Sequence, residues 1–550
     1  MTQAKYTKNR GSGVPQRALI GKGTWMDKVA YQVIEREKKL GRNLDLVRVE
    51  SGLGASGIPH IGNLSDTIRA YGIQMALEVQ GVESEHVAYI DDMDGLRKVP
   101  QGLPQGINLE QYIAHPVSRI PDPFGCHRNY GDHMGALLRD GMDRVGIKYS
   151  YQSASENYKR GIFVPYMRTI LSRSEEIGKK IKEITGQEKY EEALPYFPIC
   201  KNCGRVYTTQ AMSFERSTDS IHYRCVGTTL RGKFSEGCGY EGDTKLTSGE
   251  GKLSWKVEFA TRWAALDIRY EAYGKELTTS VKVNDWVSDL ILGFPHPYHI
   301  KYELFLDKAG KKFSKSEGAL LTPQTWFRYA NGSSLVLLMF KRIVGTRAIS
   351  IDDIPKYMDE LDWLEDVYFG RINVEPKEKA QRLKGLYEYV TFMNPVSRQP
   401  HIPYRLLADL ARLAPENKSV EYVVRRLNAT GYNVSESSPV IKERVQLARN
   451  WGIDTLGGHE TEGKTSPVLT EKTRAAIAEL ATRIQSASGA DEIQSLIFEE
   501  AKLNGIQPSE FFRDLYRILL SQERGPKLGP YIYDVGVARV AKKLLSAVSE

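Results

Sequence analysis

Apolar residues recur along the first hundred positions at two different periods. Thr24 to Arg36 carries them at helical spacing, and after the turn-like Gly41-Arg42-Asn43 the stretch Leu44 to Val49 alternates apolar with polar, which predicts a strand. A loop containing Gly52, Gly54 and Gly57 is expected to follow. From Gly62 onward Leu64, Ile68, Tyr71 and Met75 fall at steps of four, three and four, one face of a helix that Gly81 can end. His86 to Ile90 reads as a second strand, running into Asp91-Asp92. Strand, glycine loop, helix and strand make a right-handed βαβ unit. In open α/β sheets ligands bind where such strands end, so a site is expected beside His60.

From Cys126 to about Gly251 turn residues are frequent and the strand-helix rhythm has no clear continuation, so this stretch reads as an insertion. Alternation returns in Tyr298 to Leu306, a predicted strand leading through Asp307-Lys308-Ala309-Gly310 into the basic loop Lys311 to Gly318. Beyond Met358 helical faces dominate: Leu406, Leu410 and Leu413; Ile477, Leu480 and Ile484; Phe512, Leu515 and Leu519. The last third is therefore read as a helical bundle.

Length and charge alter this picture little. A chain of 550 residues exceeds what one core usually spans, so several domains are expected. The excess of 76 basic over 68 acidic residues suits a polyanionic partner and also many ordinary proteins. No apolar run approaches the roughly 20 residues of a membrane helix. The start, with Lys5, Lys8 and Arg10, lacks the apolar stretch of a secretory signal. A cytoplasmic protein without membrane partners is expected, and a monomer. Four of the five cysteines, Cys200, Cys203, Cys225 and Cys238, crowd into one stretch. Cys200-x₂-Cys203 is the half-site of a zinc knuckle, and four thiolates at tetrahedral corners would complete a structural Zn²⁺ site, free reduced thiols being the competing reading. Cys126 stands apart.

Two loops carry the candidate chemistry. Around Gly57, Pro59, His60, Gly62 and Asn63 the backbone can approach a ligand closely, and the next helix offers free N–H groups and partial positive charge to a phosphate. Taken alone, this is equally a glycine-rich turn with a packed histidine. Gly310-Lys311-Lys312-Phe313-Ser314-Lys315-Ser316 gathers three lysines and two hydroxyls, which suits a triphosphate, although alone it is equally a solvated charged turn.

Together, and in this order, His60-Ile61-Gly62-Asn63 and Lys312-Phe313-Ser314-Lys315-Ser316 resemble the two signatures of class I aminoacyl-tRNA synthetases, His-Ile-Gly-His and Lys-Met-Ser-Lys-Ser. Asn63 replaces the second histidine and Phe313 the methionine, each keeping polar or apolar character. The resemblance extends to the class I lysyl-tRNA synthetases. It runs through Gly54 to Asn63, Asp91 to Pro100, Arg119 to His127, Trp255-Lys256-Val257-Glu258 and Gly525-Pro526-Lys527-Leu528-Gly529.

That resemblance implies an α/β Rossmann-type parallel sheet split by a zinc-bearing insertion, followed by an all-α domain. The expected divisions are 1–125 and 252–320 for the two catalytic halves, 126–251 for the insertion, 321–375 for a connecting segment and 376–550 for a helical anticodon-binding domain. It implies ATP with Mg²⁺, L-lysine and tRNA(Lys) as partners, and tRNA as a requirement for activation. His60 and Asn63 would hold the phosphates, and Lys312 and Lys315 the departing pyrophosphate, with Gly57, Pro59, Gly62, Ser314 and Ser316 completing the ATP site. For lysine itself the candidates are Gly52, Asp91, Asp92, Trp255 and Tyr302, with Asp94 and Glu50 also chemically able. Where the family has Gly-Lys-Asp-His, this chain has Gly274-Lys275-Glu276-Leu277. In the family the later cysteine pair sits closer together, so Val226 to Gly237 reads as an insertion within the finger. Three alternatives stay open: a glutamyl-type synthetase, which a positively charged pocket would favour; a non-catalytic tRNA-binding paralogue; and a zinc-ribbon nucleic-acid-binding protein. In the helical region Arg425, Arg426, Arg444, Arg449, Arg517 and Lys527 are candidates for phosphate contacts, and Trp451, Phe512 and Tyr516 for base stacking.

Overall fold

The first helix begins where its sequence provides a cap. Thr24 accepts from the backbone N–H of Asp27, whose carboxylate reaches back to the N–H of Thr24, and α1 then runs over Trp25–Lys39. The computed structural model describes residues 19–549, apart from 105, 304, 309, 311–320, 415–417, 430, 457–468 and 521–526. Lys312, Ser314, Lys315 and Ser316 thus lie outside the described residues.

Five parallel strands form the central sheet. They are β1 (Val47–Gly54), β2 (Ser84–Asp91), β3 (Ser150–Ser153), β4 (Ile268–Gly274) and β5 (Tyr298–Tyr302). Their order across the sheet is β5-β4-β1-β2-β3, so the winding reverses between β1 and β4. A doubly wound sheet opens its ligand crevice at that reversal, outside the carboxyl ends of the strands. Helix α2 (Ile61–Val79) makes the crossover from β1 to β2 and is buried along most of its length. Gly81, at φ +81°, takes the left-handed turn behind it.

Three expectations need correction. Gly52 and Gly54 belong to β1 and not to a loop: the ladder to β2 runs to the end of β1, with Gly52 opposite Tyr89 and Gly54 opposite Asp91, and holds the glycines extended, while the ladder to β4 stops at Glu50. The strand-helix rhythm continues for one more unit past Cys126. Helix α3 (Tyr130–Val145) buries Tyr130, Met134, Leu138 and Met142 at steps of four and delivers β3 to the edge of the sheet. Tyr298 to Leu306 is two pieces, because Phe305–Leu306 leaves the sheet and pairs with Arg347–Ala348.

Between Tyr196 and Leu253 the chain forms short antiparallel ladders. Thr209–Glu215, Ser220–Cys225 and Glu241–Lys245 make one sheet, and Tyr196–Pro198 pairs with Gly251–Leu253. Next comes α4 (Glu258–Leu266), which leads into β4.

Contacts divide the chain into two compact units. One comprises Met1–Pro323, Gly332–Ser350 and Trp363–Val396; the other comprises Gln324–Asn331, Ile351–Asp362 and Ser397–Glu550. The second unit is helical throughout its described elements, from Tyr404–Leu413 to Val537–Ser549. Ile477, Leu480 and Ile484 are buried there, as are Leu515 and Leu519. In Tyr404–Leu413, however, the buried face is Tyr404, Leu407, Ala408 and Ala411, while Leu406 is exposed. The aromatic Tyr404 and two alanines pack where the leucine pattern alone pointed elsewhere. Among the described residues no helix is long and apolar enough to cross a membrane.

Candidate functional site

His60 is the N-cap of α2, in extended conformation. Its Nδ1 accepts from the Gly62 N–H at 3.1 Å, and its own backbone N–H donates to Asn63 Oδ1 at 3.1 Å. This reciprocal cap fixes both side chains. With Nδ1 an acceptor, the neutral ring carries its proton on Nε2, and with Oδ1 used, the NH₂ of Asn63 is its donor end. Two side-chain donors therefore stand at the positive end of a 19-residue helix, an arrangement suited to phosphate. Gly62 is required there: a Cβ at that position would come within 2.8 Å of the His60 ring. Gly57 and Pro59 are buried in the approach to the cap.

A crevice of about 670 Å³, open solvent included, lies at the winding reversal. β1 contributes Gly52, α2 Asp66, β2 Asp91 and β4 Glu271, with Trp255 and Tyr302 as aromatic walls. Asp92 does not line it. Its carboxylate turns to the next helix, accepting from the Ser155 N–H at 2.7 Å and the Ser153 hydroxyl at 2.9 Å. Asp91 lines the crevice but is already engaged. Both of its oxygens stand 2.9 Å from Lys252 Nζ, and Trp255 Nε1 donates to Oδ2 at 2.9 Å. Lys252 also meets Asp94 at 2.7 Å and Glu258 at 3.1 Å, one buried ammonium among three carboxylates. Burial and the neighbouring Asp94 push Asp91 up to about 8. Deeper in, Arg262 pairs with Glu50 at 2.5 Å and Glu271 at 3.1 Å, its guanidinium 4.3 Å from the centroid of the Tyr89 ring. Lys252, Arg262, Asp66 and Glu271 escaped the sequence reading. Each is a buried charged residue, and no local period in the sequence marks its burial or names its partner.

The four crowded cysteines converge. Their sulfurs lie within 4.8 Å of one another, Cys200 to Cys238 at 3.6 Å and Cys203 to Cys225 at 3.8 Å. Four sulfurs bound to one tetrahedral Zn²⁺ stand about 3.8 Å apart, so the set fits that ion. The long spacing before Cys238 is taken up by a hairpin, Gly227–Leu230 against Lys233–Glu236, whose closure returns the chain beside Cys225.

Cys126 does not stand apart. It meets Asp122, His127 and His133, with one ligand atom from each, all within 4.8 Å. Cys126 Sγ is 3.2 Å from His127 Nδ1 and 3.4 Å from His133 Nδ1, the two Nδ1 atoms are 3.2 Å apart, and Asp122 Oδ2 is 3.2 Å from His133 Nδ1. These separations also fit one tetrahedral ion with mixed ligands, about 3.3–3.8 Å apart. The spacing Asp122-x₃-Cys126-His127-x₅-His133 was the available signal.

In the second unit Arg444 is buried against Asp362 at 2.7 and 2.8 Å, which removes it from the candidates for phosphate contact. Trp451 is buried too, its Nε1 donating to the Ile351 carbonyl at 3.0 Å, and is unavailable for stacking.

The family model described as "tRNA synthetases class I (K)" matches residues 23–392. The chain belongs to this family, the class I tRNA synthetases of the lysine type. A lysine--tRNA ligase of Cenarchaeum symbiosum (strain A) is 46% identical over 523 residues, covering 95% of this chain and 98% of its own. A lysine--tRNA ligase of Rickettsia africae (strain ESF-5) is 30% identical over 505 residues, covering 90% of this chain and 92% of its own. Among solved structures, a glutamate tRNA ligase of Elizabethkingia meningosepticum aligns over 92% of this chain and 99% of its own, at 13% identity and a TM-score of 0.41.

Proposed function

We propose that the chain attaches L-lysine to tRNA(Lys) through a lysyl-adenylate. The observation that carries the choice of amino acid, beside the family, is the charge of the crevice: Asp66, Asp91 and Glu271 line it, and its arginine, Arg262, is held between Glu50 and Glu271. A pocket for glutamate needs the opposite sign. Charging of total tRNA with each amino acid in turn tests the reading. Lysine alone is expected to be incorporated; charging with glutamate, or with none, overturns it.

The reaction needs no protein nucleophile. The substrate carboxylate attacks the α-phosphate of ATP and pyrophosphate leaves, so the protein acts by position and charge. His60 Nε2 and the Asn63 amide donate to phosphate oxygens from the start of α2. Lys312 and Lys315, with Ser314 and Ser316, engage the pyrophosphate from the second loop. Mg²⁺ accompanies the triphosphate as its counter-ion. Gly52 gives the amino acid access along β1, and Trp255 and Tyr302 flank its methylenes. The helices from residue 376 onward meet the anticodon, with Phe512 and Tyr516 as the stacking candidates left by the burial of Trp451.

Structural Zn²⁺ is assigned to Cys200, Cys203, Cys225 and Cys238 within the insertion between the catalytic halves, and a second ion to Asp122, Cys126, His127 and His133. The second would fix the loop before α3, whose Tyr130 hydroxyl donates to the Ser56 carbonyl at 3.3 Å, next to the glycines that lead to His60. Metal analysis of the purified protein should find two zinc ions per chain, with Cys203→Ser and His133→Ala each removing one. A single ion lost only with Cys203→Ser dismisses the second site, and zinc-free folded protein dismisses both.

A further inference from the structure

We propose that the hairpin between Cys225 and Cys238 is a nucleic-acid-binding ribbon: Phe234 stacks on an unpaired base at the acceptor end of tRNA, and Arg231 and Lys233 hold the phosphates beside it. This rests on the tRNA-charging reading above and names a surface that meets the tRNA.

The ribbon is Gly227–Leu230 paired with Lys233–Glu236, and among the described residues neither strand joins another sheet. A two-stranded ribbon is marginally stable by itself in water, so this one depends on its mounting. Its two ends run into Cys225 and Cys238, members of the converging cysteine set. The N–H groups of Val226 and Gly227 both donate to the Thr208 carbonyl, at 2.9 and 3.0 Å, and Arg205 Nη1 donates to the Glu236 carbonyl at 2.9 Å. Gly237 packs so closely on Cys225 that a Cβ there would lie 2.3 Å from the Cys225 carbonyl oxygen. The foot is fixed, and the strands project from it.

The ribbon presents an aromatic ring and positive charge. Phe234 is 66% exposed; its ring leans across to Gly227, where a Cβ would come within 2.9 Å, which sets its orientation and leaves most of it open. Arg231 and Lys233, both exposed, stand at the turn beside it. No acid occurs between Val226 and Ser235, and Glu236 belongs to the foot. Arg231 is the first of the two turn residues and adopts φ +50°, a left-handed conformation that glycine, asparagine or aspartate takes more easily; Gly232 follows at φ +82°. An arginine kept where the backbone disfavours it implies a role for its side chain. An open ring beside two cations matches a single-stranded nucleic acid, whose base can stack while its phosphates are neutralised.

Position selects the acceptor end. Thr208, at the foot, follows Tyr207, whose hydroxyl donates to Asp94 at 2.8 Å, and Asp94 shares Lys252 with Asp91 in the crevice wall. The ribbon therefore stands on a segment that touches the wall of the crevice. The part of tRNA that must reach that crevice to be charged is its 3′ end.

Arg231→Gly and Phe234→Ser alter exposed side chains, the first at a position suited to glycine, so both variants should keep the parent's unfolding midpoint and metal content. Binding is read by fluorescence anisotropy of full tRNA(Lys) and of a minihelix holding its acceptor arm alone. Phe234→Ser should weaken both by the same factor, about 5- to 100-fold, the range for losing one stacked base. Arg231→Gly should lower the slope of log affinity against log salt by about 0.7, one phosphate contact on a single strand. KM for lysine and for ATP, at saturating tRNA, should change less than about 2-fold. Folded variants that bind the minihelix as the parent does overturn the proposal. A parent dimer that Phe234→Ser dissociates with tRNA binding unchanged overturns it too, the ribbon then being a contact between copies. Parent protein that binds the minihelix but charges no lysine overturns the lysine reading and leaves the ribbon's role standing.

Discussion

Replacing Lys252 by methionine should destabilise the first unit by about 3–5 kcal/mol, the usual cost of removing one partner from a buried ion cluster. The Lys252 side chain is 1% exposed and lies 2.7 to 3.1 Å from Asp91, Asp94 and Glu258. Methionine fills the volume and returns none of the charge, so three buried carboxylates would face one another. They escape by taking up protons, which sets the pH dependence. Asp91 already stands at about 8, far above its value in an unfolded chain, and loss of the ammonium raises it further. A carboxyl with a raised folded pKa stabilises the fold when pH is below its unfolded value and loses that contribution as pH rises through the folded value. The variant should therefore approach the parent near pH 5 and fall away from it toward pH 8. Adding Asp91→Asn should recover part of the loss, since one uncompensated charge goes with it. Thermal unfolding of the three proteins at both pH values measures this. Equal midpoints for parent and Lys252→Met at pH 8 would show that the cluster does not hold the fold.

The same lysine shows where sequence reading stops. The βαβ unit at His60 was legible because apolar residues recur in α2 and β2 at helix and strand spacing and a glycine follows the helix. The helical second unit was legible for the same reason. What could not be read were pairings across long separations. Lys252 follows Asp91 by 161 positions, and Arg262 finds Glu50 from another element, so no local period records either contact. Asp91 and Asp92 were indistinguishable as neighbours in sequence. Strand alternation then sends one into the crevice and the other to the Ser153-Ala154-Ser155 turn. Gly52 and Gly54 looked like loop because glycine is weak in isolated strands, and only the ladder to β2 makes them strand. The Asp122 cluster was illegible for a different reason: its residues are split between a loop and the first turn of α3, with no Cys-x₂-Cys pair to mark them.

Replacing His60 by alanine should slow adenylate formation about 10²- to 10³-fold, the range for losing one donor to developing negative charge. Lys315→Ala should match it. His60 needs a control that Lys315 does not, because its ring also caps α2. Loss of an N-cap alone costs about 0.5–2 kcal/mol of stability, and a frayed α2 would disturb Asn63 and Asp66 together. Asparagine separates the two roles. It is among the best N-cap residues and can accept from the Gly62 N–H, but it has no atom at the reach of Nε2. His60→Asn should keep the unfolding midpoint of the parent and still lose most of the rate of ATP–pyrophosphate exchange measured with tRNA present. If His60→Asn exchanges at near the parent rate while His60→Ala does not, the ring is a cap and nothing more. Phosphate binding at this end of the crevice would then belong to the backbone N–H groups of α2 and to Asn63.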